Sequence, residues 1–324
     1  MGKIKLLLKK HKILVFTVVI IIFIAAFGGY QYKVYADNRN FNNNIVQAEN
    51  SYKLDQFTKA KEYYQVALKY KDDNDIKKKV KLCDDMQSSY NNFNDGMNFF
   101  NKKDYLNAYN SLKQVISEDK KRYDKAKTKA DESATLYIND QIVKAKDSAN
   151  KAEYQDAINC MAQVLEISSD NEKVNELESQ AKQLKSQYES QLQKKDKQDA
   201  INNARSIIQV TSIYTSEPNV AGGVDLHITW INKSSKVVKY ASFQVVPYNS
   251  VGDPQECTIR HDPSFKGKVT GPINPGESYG ENKVWENAWY NNTIVKAQIN
   301  EIDITYMDGT TATLDKDQVQ YVLN

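Results

Sequence analysis

The amino-acid sequence predicts a multidomain fold: a single N-terminal transmembrane helix, then an all-α helical-repeat region, then a C-terminal all-β region. Three observations predict this order. Residues 13–27 contain no charged side chain, residues 30–199 contain one glycine and no proline, and all six prolines and all three tryptophans lie after residue 215. Because helix-breaking residues are nearly absent from the middle of the chain and frequent at its end, we expect strands to begin near residue 206.

The N-terminal segment has the pattern of a membrane anchor. Residues 1–12 contain five lysines and no acidic residue, and residues 13–29 are near the lower limit of ~17 residues for a membrane-spanning helix. The positive-inside rule then predicts a cytoplasmic basic tail at residues 1–12 and an extracytoplasmic remainder of the chain. A cleaved signal peptide is the alternative, because Val34 and Ala36 fit a small-residue cleavage site. The apolar run exceeds the ~7–15 residues of a signal peptide, which favours a retained signal-anchor.

The charge distribution excludes one class of partner. Removing the five lysines of the tail from the net charge of +3 leaves −2 for the rest of the chain. The folded part of a nucleic-acid-binding protein should be basic, so no nucleic-acid partner is predicted. The expected partners are the membrane, through a single span, and another envelope protein or the cell wall.

The helical-repeat region, predicted at residues 38–170, contains three similar segments that begin 48 and 49 residues apart. Each has an aromatic residue, an alanine three positions later and a large apolar residue four positions further on. These sets are Phe57, Ala60 and Tyr64; Tyr105, Ala108 and Leu112; Tyr154, Ala157 and Met161. Nine positions before the aromatic residues stand Ala48, Gly96 and Ala145. Such self-similarity predicts stacked helix pairs, in which the small residues allow close approach.

The segments resemble degenerate tetratricopeptide repeats, although that family has a period of ~34 residues and a closing proline that all three segments lack. A spectrin-like helical stack is the alternative. We expect short helices at 57–70, 105–118 and 154–167, and long helices at 74–102 and 121–151. Tyr63, Tyr109 and Gln163 are expected on exposed faces. Residues 171–205 form a predicted polar helix or linker, either a capping helix or a short dimerising coiled coil.

The C-terminal region, residues 206–324, alternates short apolar-patterned strands with turn signals. Strands are predicted at 207–215, 224–232, 237–248, 256–260, 293–307 and 310–314. This spacing favours an immunoglobulin-like β-sandwich with Trp230 in its core.

Several motifs of this region, approximately residues 207–314, also carry a family resemblance. They are EPNVAGGVDLHITWINKSSKVVKYASFQVVPYNSVGDPQ, GPINPG, WENAWYN and ITYMDGT. They resemble an uncharacterised immunoglobulin-like domain family found in exported or membrane-anchored proteins of Gram-positive bacteria. The resemblance covers about a third of the chain and implies an extracellular β-sandwich, but no activity, ligand or catalytic residue.

Three isolated cysteines, Cys83, Cys160 and Cys257, form no CxxC pair, so neither a disulfide framework nor a zinc site is predicted. Cys83 and Cys160 are expected to be buried in helices and Cys257 to lie in a strand. A bond between Cys83 and Cys160 is an alternative without support in the pattern.

The candidate ligand contacts are aromatic. Trp285, Trp289, Tyr290 and Tyr248 could form a stacking platform for a glycan or peptide, and packing in the core and at the sheet edge is the alternative. Carboxylates at 253, 256 and 262 lack the spacing of a calcium loop, and no metal or cofactor is predicted.

No enzymatic motif is present. His227 stands two positions from Asp225, but there is no GxSxG, P-loop or HExxH sequence, so no catalytic residue is assigned. The function predicted is a non-catalytic, membrane-anchored scaffold or accessory subunit at the cell envelope. The alternative is a cell-wall or glycan-binding sensor that acts through the β-sandwich.

Overall fold

The computed structural model describes residues 2–323, with side chains from Leu14 onward. Met1, Asn324 and the side chains of residues 2–13 lie outside the described part, and so do the side chains of the predicted basic tail. The chain divides into two compact units, Met1–Tyr188 and Glu189–Asn324. An N-terminal apolar helix, a helical region and a C-terminal antiparallel β-sheet region follow one another, which confirms the coarse α-then-β prediction.

The first helix, α1 (Gly2–Lys53), combines an apolar exposed part with a packed part. Within it, Leu14–Lys53 is long and apolar enough to cross a membrane, a criterion that a signal sequence also meets. The large apolar side chains between Leu14 and Phe27 are exposed, whereas Phe41 and Ala48 are buried against the following helices. The same helix therefore carries the apolar run and the first packing face of the helical unit.

Six further helices follow in the order that the repeats predict. They are α2 (Phe57–Ala67), α3 (Asn74–Asn101), α4 (Tyr105–Leu112), α5 (Tyr123–Asn150), α6 (Tyr154–Val164) and α7 (Glu172–Ile207). Each helix packs on the next from the pair α1 and α2 to the pair α5 and α6. The short helices end three to six residues before the predicted positions, because tight turns close them: the N–H groups of Lys69 and Tyr70, for example, donate to carbonyls three residues back.

The Asp73 carboxylate caps α3 by accepting the N–H groups of Asp75 and Ile76.

The turns after α1, α3 and α5 have one shared geometry. Asp55, Lys103 and Ala152 have left-handed backbones, with φ of 60°, 62° and 60°. The next N–H in each turn donates to a carbonyl five residues earlier: Gln56 to Ser51, Asp104 to Phe99 and Glu153 to Ser148, at 2.9–3.0 Å. These are the bonds of a Schellman motif, which closes a helix C-terminus. The turn therefore repeats with the same period of 48 and 49 residues as the sequence.

The small residues of the repeats lie where helices meet. Ala48, Ala145 and the three alanines of the short helices are fully buried. A Cβ atom added to Gly96 would lie 2.5 Å from Cγ of Leu112, on the facing helix α4. The predicted close approach of paired helices thus depends on these positions.

A buried group of charges joins the turn after α1 to α3 and to the segment before α5. Asp119 is fully buried and receives two hydrogen bonds from Arg122, at 2.9 and 3.0 Å, and one from the Ser89 hydroxyl, at 3.0 Å. Arg122 also pairs with Asp55 at 2.5 Å, and its guanidinium lies 4.7 Å from the centre of the Tyr90 ring. Every charge in this group has a partner, as a buried ion pair requires.

Two four-stranded antiparallel sheets form the β region. One holds β1 (Ile208–Thr215), β2 (Gly223–Asn232), β5 (Ser278–Tyr279) and β6 (Trp285–Tyr290); the other has the order β4 (Phe265–Ile273), β3 (Val238–Tyr248), β7 (Lys296–Tyr306), β8 (Thr311–Leu314). A short helix, α8 (Lys316–Val319), follows. Apolar side chains from both sheets form one core, in which Trp230 is fully buried as predicted.

The predicted strand at 256–260 is wrong, and so is the strand assignment of Cys257. This segment is a turn, in which the N–H of Cys257 donates to the Asp262 carbonyl and His261 has a φ of 56°. Pro254 and Pro263 flank the segment and interrupt any ladder of backbone hydrogen bonds. Strands β4, β5 and β6 are not among the predicted strands, because β4 contains Gly267 and Pro272, β5 has only two residues, and the sequence of β6 favours an aromatic cluster.

All three cysteines are free. Cys83 is buried, and burial raises the pKa of its thiol to about 11. Cys160 is half-buried, less than predicted. The Cys257 sulfur is buried and accepts the Tyr290 N–H at 3.4 Å. Burial opposes ionisation of Cys257, yet hydrogen bonds from the backbone of Arg260 and its neighbours leave its pKa lowered.

Candidate binding surfaces

The two predicted indole contacts lie among other aromatic rings. Trp289 is fully buried, and its ring centre is 5.6 Å from that of Phe265. Trp285 is half-buried, and its ring centre lies 6.3 Å from the ring centres of both Phe265 and Phe243. Its indole also covers Gly267, where an added Cβ atom would lie 2.9 Å from the ring. A buried indole cannot stack on a ligand, so this placement favours the packing alternative for Trp289.

The two predicted tyrosine contacts, Tyr248 and Tyr290, are half-buried at strand ends. The carbonyl of Tyr248 accepts the N–H of Val295, and the carbonyl of Tyr290 accepts the N–H of Thr258. Both tyrosines therefore border the loops at one end of the two sheets, and the four predicted aromatic residues do not form one exposed platform.

These loops, residues 216–222, 249–264 and 291–295, are here called the loop surface. Asn291 joins the other two, because its N–H donates to the Gly222 carbonyl at 2.9 Å and its side-chain amide donates to the Glu256 carbonyl at 3.0 Å. The Thr293 hydroxyl adds a bond of 2.9 Å to the side chain of Gln255. The three loops are consequently one connected surface.

Branched aliphatic side chains project from the loop surface. The exposed fractions are 110% for Val220, 79% for Val251, 64% for Ile259 and 55% for Val295. Sequence reasoning missed these residues because they stand within turn signals such as NVAGG and NSVGD, where the neighbouring residues dominated the interpretation. An aliphatic residue at the tip of a predicted turn is the signal that could have found them.

The histidines show no catalytic arrangement in the described residues. The His227 ring stacks on Tyr214, with centres 4.4 Å apart and planes 4° apart, while the Asp225 carboxylate accepts the N–H of Asn287 at 2.7 Å. Among the described residues no group of three or more His, Cys, Asp or Glu side chains could hold a metal ion. Glu256 lies 3.7 Å from the His261 ring nitrogen, and Asp262 pairs with Arg260 at 3.3 Å.

The helical unit has a cleft of about 370 Å³ between α4, α5 and the segment after α6. Tyr109 in its wall is 3% exposed, and its hydroxyl donates to the Ser168 carbonyl and accepts the Ser168 N–H at 3.1 Å. The prediction that Tyr109 is exposed is therefore wrong. Asp131 in the same wall accepts the Ser169 hydroxyl at 2.7 Å. Tyr109 and Asp131 thus bind the segment after α6, which fits closure of the last repeat better than a ligand site.

Comparisons with known proteins give no assignment. No family model matches the chain, and no curated protein matches it. Among solved structures, the S-layer protein rSbsC(31-844) is similar at 12% identity and a TM-score of 0.22, over 87% of this chain and 51% of that one. The chain thus spans about half the length of that structure, and a TM-score this low carries no argument about fold or function.

Proposed function

We propose that the protein is a membrane-anchored extracytoplasmic scaffold or accessory subunit, which binds another protein at the cell envelope and has no catalytic activity. The continuity of α1 carries this proposal. Its apolar exposed part, from Leu14 to Phe27, and its packed part, at Phe41 and Ala48, belong to one uninterrupted helix. Anchor and folded unit are then mechanically joined, as a subunit held at a membrane requires. The lysines at residues 1–12 favour a cytoplasmic N-terminus and an external remainder.

The finer fold assignments belong to the same proposal. The repeated Schellman turns and buried small residues support a degenerate tetratricopeptide-like array, an architecture that usually binds proteins. Two antiparallel sheets around one core support an immunoglobulin-like sandwich, in which loops at one end commonly carry recognition.

Cross-linking in intact cells tests the proposal. The full chain, tagged after its last residue, is treated with an amine-reactive reagent that cannot cross membranes, and a permeant reagent serves as the matched control. Exposed lysines such as Lys69, Lys127 and Lys182 are the reactive groups. We expect discrete adducts with another protein from both reagents. Adducts from the permeant reagent alone would contradict the external location, and no adduct from either would contradict the scaffold role.

A glycan-binding sensor is the second candidate, favoured by one observation. Tyr214 is 53% exposed and stacks on His227, so an aromatic ring is available on β1. If this role is correct, purified cell wall should sediment the full chain, and Tyr214→Ala should abolish sedimentation whereas Tyr279→Phe should not. Equal sedimentation of the Tyr214 variant and the unaltered protein would eliminate Tyr214 as the contact.

A further inference from the structure

We infer that the loop surface is the docking site for a protein partner whose contact patch combines aliphatic side chains with lysine or arginine. This inference rests on the proposed scaffold function and names the surface and the partner chemistry. It starts from the four exposed aliphatic side chains, Val220, Val251, Ile259 and Val295. Several exposed branched side chains on loops that hydrogen bonds connect indicate an interaction site.

The loops are held in place before any partner binds. One asparagine in each loop accepts backbone hydrogen bonds through its side-chain oxygen. Asn219 accepts the N–H groups of Ala221 and Gly223, and Asn249 accepts the N–H groups of Val251 and Asp253. Asn291 accepts the N–H group of Thr293. These bonds are 2.9–3.1 Å long. A preordered surface loses less conformational entropy when it binds, which suits a recognition role.

Charge selects the kind of partner. The three loops contain four carboxylates, at positions 217, 253, 256 and 262, and one arginine, Arg260. The net charge of the three loops is therefore −3. Residues 206–324 contain 13 acidic and 9 basic residues, a net charge of −4, so most of the negative charge of the β region lies in these loops. The guanidinium of Arg260 already has partners within the protein, since it pairs with Asp262 and donates to the Ala288 carbonyl at 2.5 Å. The complementary surface is therefore cationic around an aliphatic centre.

A lipid bilayer and a second copy of the chain are less complementary to the negative charge of the loop surface than a cationic protein. An anionic bilayer would be repelled by the carboxylates that surround the aliphatic tips. A second copy meeting through the same loops would place like charges opposite each other, because a two-fold interface brings identical patches together. A cationic patch on a different protein satisfies both the apolar and the charged groups.

Site-specific photo-cross-linking of the full chain in its native cells tests this inference. The photoreactive residue p-benzoylphenylalanine replaces Val220, Val251 or Ile259, and as a control it replaces Met307, which is similarly exposed at 57% in the turn between β7 and β8. We expect the three loop positions to yield an adduct with the same protein, and Met307 to yield at most a tenth as much. Mass spectrometry should locate the contact in a segment that contains aliphatic residues and lysine or arginine.

Charge reversal supplies the second readout. The double variant Glu217→Lys/Asp253→Lys should lower the adduct yield at least fivefold, whereas Glu281→Lys/Asp317→Lys makes the same charge change elsewhere and should leave the yield unchanged. Adducts with lipid, adducts with a second copy of the chain, or adducts insensitive to charge reversal would overturn the inference. Loss of the loop adducts alone, while the amine-reactive reagent still links a partner, would overturn the docking surface but leave the scaffold function standing. Loss of both the loop adducts and the amine-reactive adducts would contradict the docking surface and the scaffold function together.

Discussion

The turns of the helical unit and the loops of the β region differ in how they use their backbone. The turns at Asp55, Lys103 and Ala152 repeat one geometry and one hydrogen bond, and each connects two packed helices. The three loops of the loop surface have different lengths and sequences, and each exposes at least one branched aliphatic side chain. Repetition of one local geometry indicates a structural role, whereas loops that differ from one another are where the binding residues of folded domains are most often found.

The interiors of the two regions differ as well. The helical unit buries Asp119 and Arg122 and satisfies them with hydrogen bonds, while the β region buries Trp230, Trp289 and Phe243 in an apolar core. The tryptophans all lie in the β region, so tryptophan fluorescence reports its unfolding and circular dichroism at 222 nm reports mainly the helices. The stability of each region can therefore be measured separately in the full chain.

The largest expected effect comes from Trp289→Ala. The substitution removes a fully buried side chain, and such changes destabilise a protein by about 3–5 kcal/mol. Denaturant titration of the full chain should show early loss of the fluorescence of the remaining tryptophans, with the 222 nm transition almost unchanged. Tyr214→Ala, at an exposed position, is the control and should shift neither transition. A Trp289 variant with unaltered stability would return that residue to the list of ligand contacts.

Arg122→Met should produce the reverse pattern. It leaves Asp119 buried without its cation, and breaking a buried ion pair destabilises by about 3–5 kcal/mol. The 222 nm transition should move to lower denaturant concentration while the fluorescence transition stays. Lys121→Met removes only an exposed partner of Asp55 and should change the stability by less than ~1 kcal/mol. Equal effects of the two substitutions would contradict a structural role for the buried charges.

Ala152→Gly should give the smallest effect, and it tests the role of the repeated turn. A left-handed backbone is strained for alanine and free for glycine, so the substitution should stabilise the helical unit by about 0.5–1 kcal/mol. Ala149→Gly, three residues earlier within α5, should instead destabilise it by about 1 kcal/mol. Destabilisation by both substitutions would show that the left-handed backbone at Ala152 does not strain the helical unit.

The sequence predicted the helical unit better than the β region for a physical reason. The repeat is local: residues such as Phe57, Ala60 and Tyr64 share a helix face, and their spacing is visible without tertiary information. The pairing of Asp55 with Arg122 is not local, because the two residues are 67 positions apart along the chain and charged residues are normally exposed. No pattern at either position indicated that the two side chains meet.

In the β region, strands with alternating apolar residues were predicted and strands with other features were missed. Strand β4 contains glycine and proline, and its neighbours on β3 decide its conformation. The aromatic residues of β6 were interpreted as exposed contacts, although Trp289 faces the core opposite Val224. Candidate binding residues could be predicted by type but not by position, since an aromatic side chain suits a core and a recognition surface equally well.

Membrane topology decides whether α1 anchors an external helical unit and β region. An epitope tag is placed after Asn324, and intact cells without their wall are treated with protease, with lysed cells as the control. We expect the protein to fractionate with membranes and protease to remove the tag from intact cells. A tag protected until lysis would place the folded units in the cytoplasm, and a protein released into the medium would show that the N-terminal segment is a cleaved signal peptide. Either result would show that α1 does not anchor external folded units.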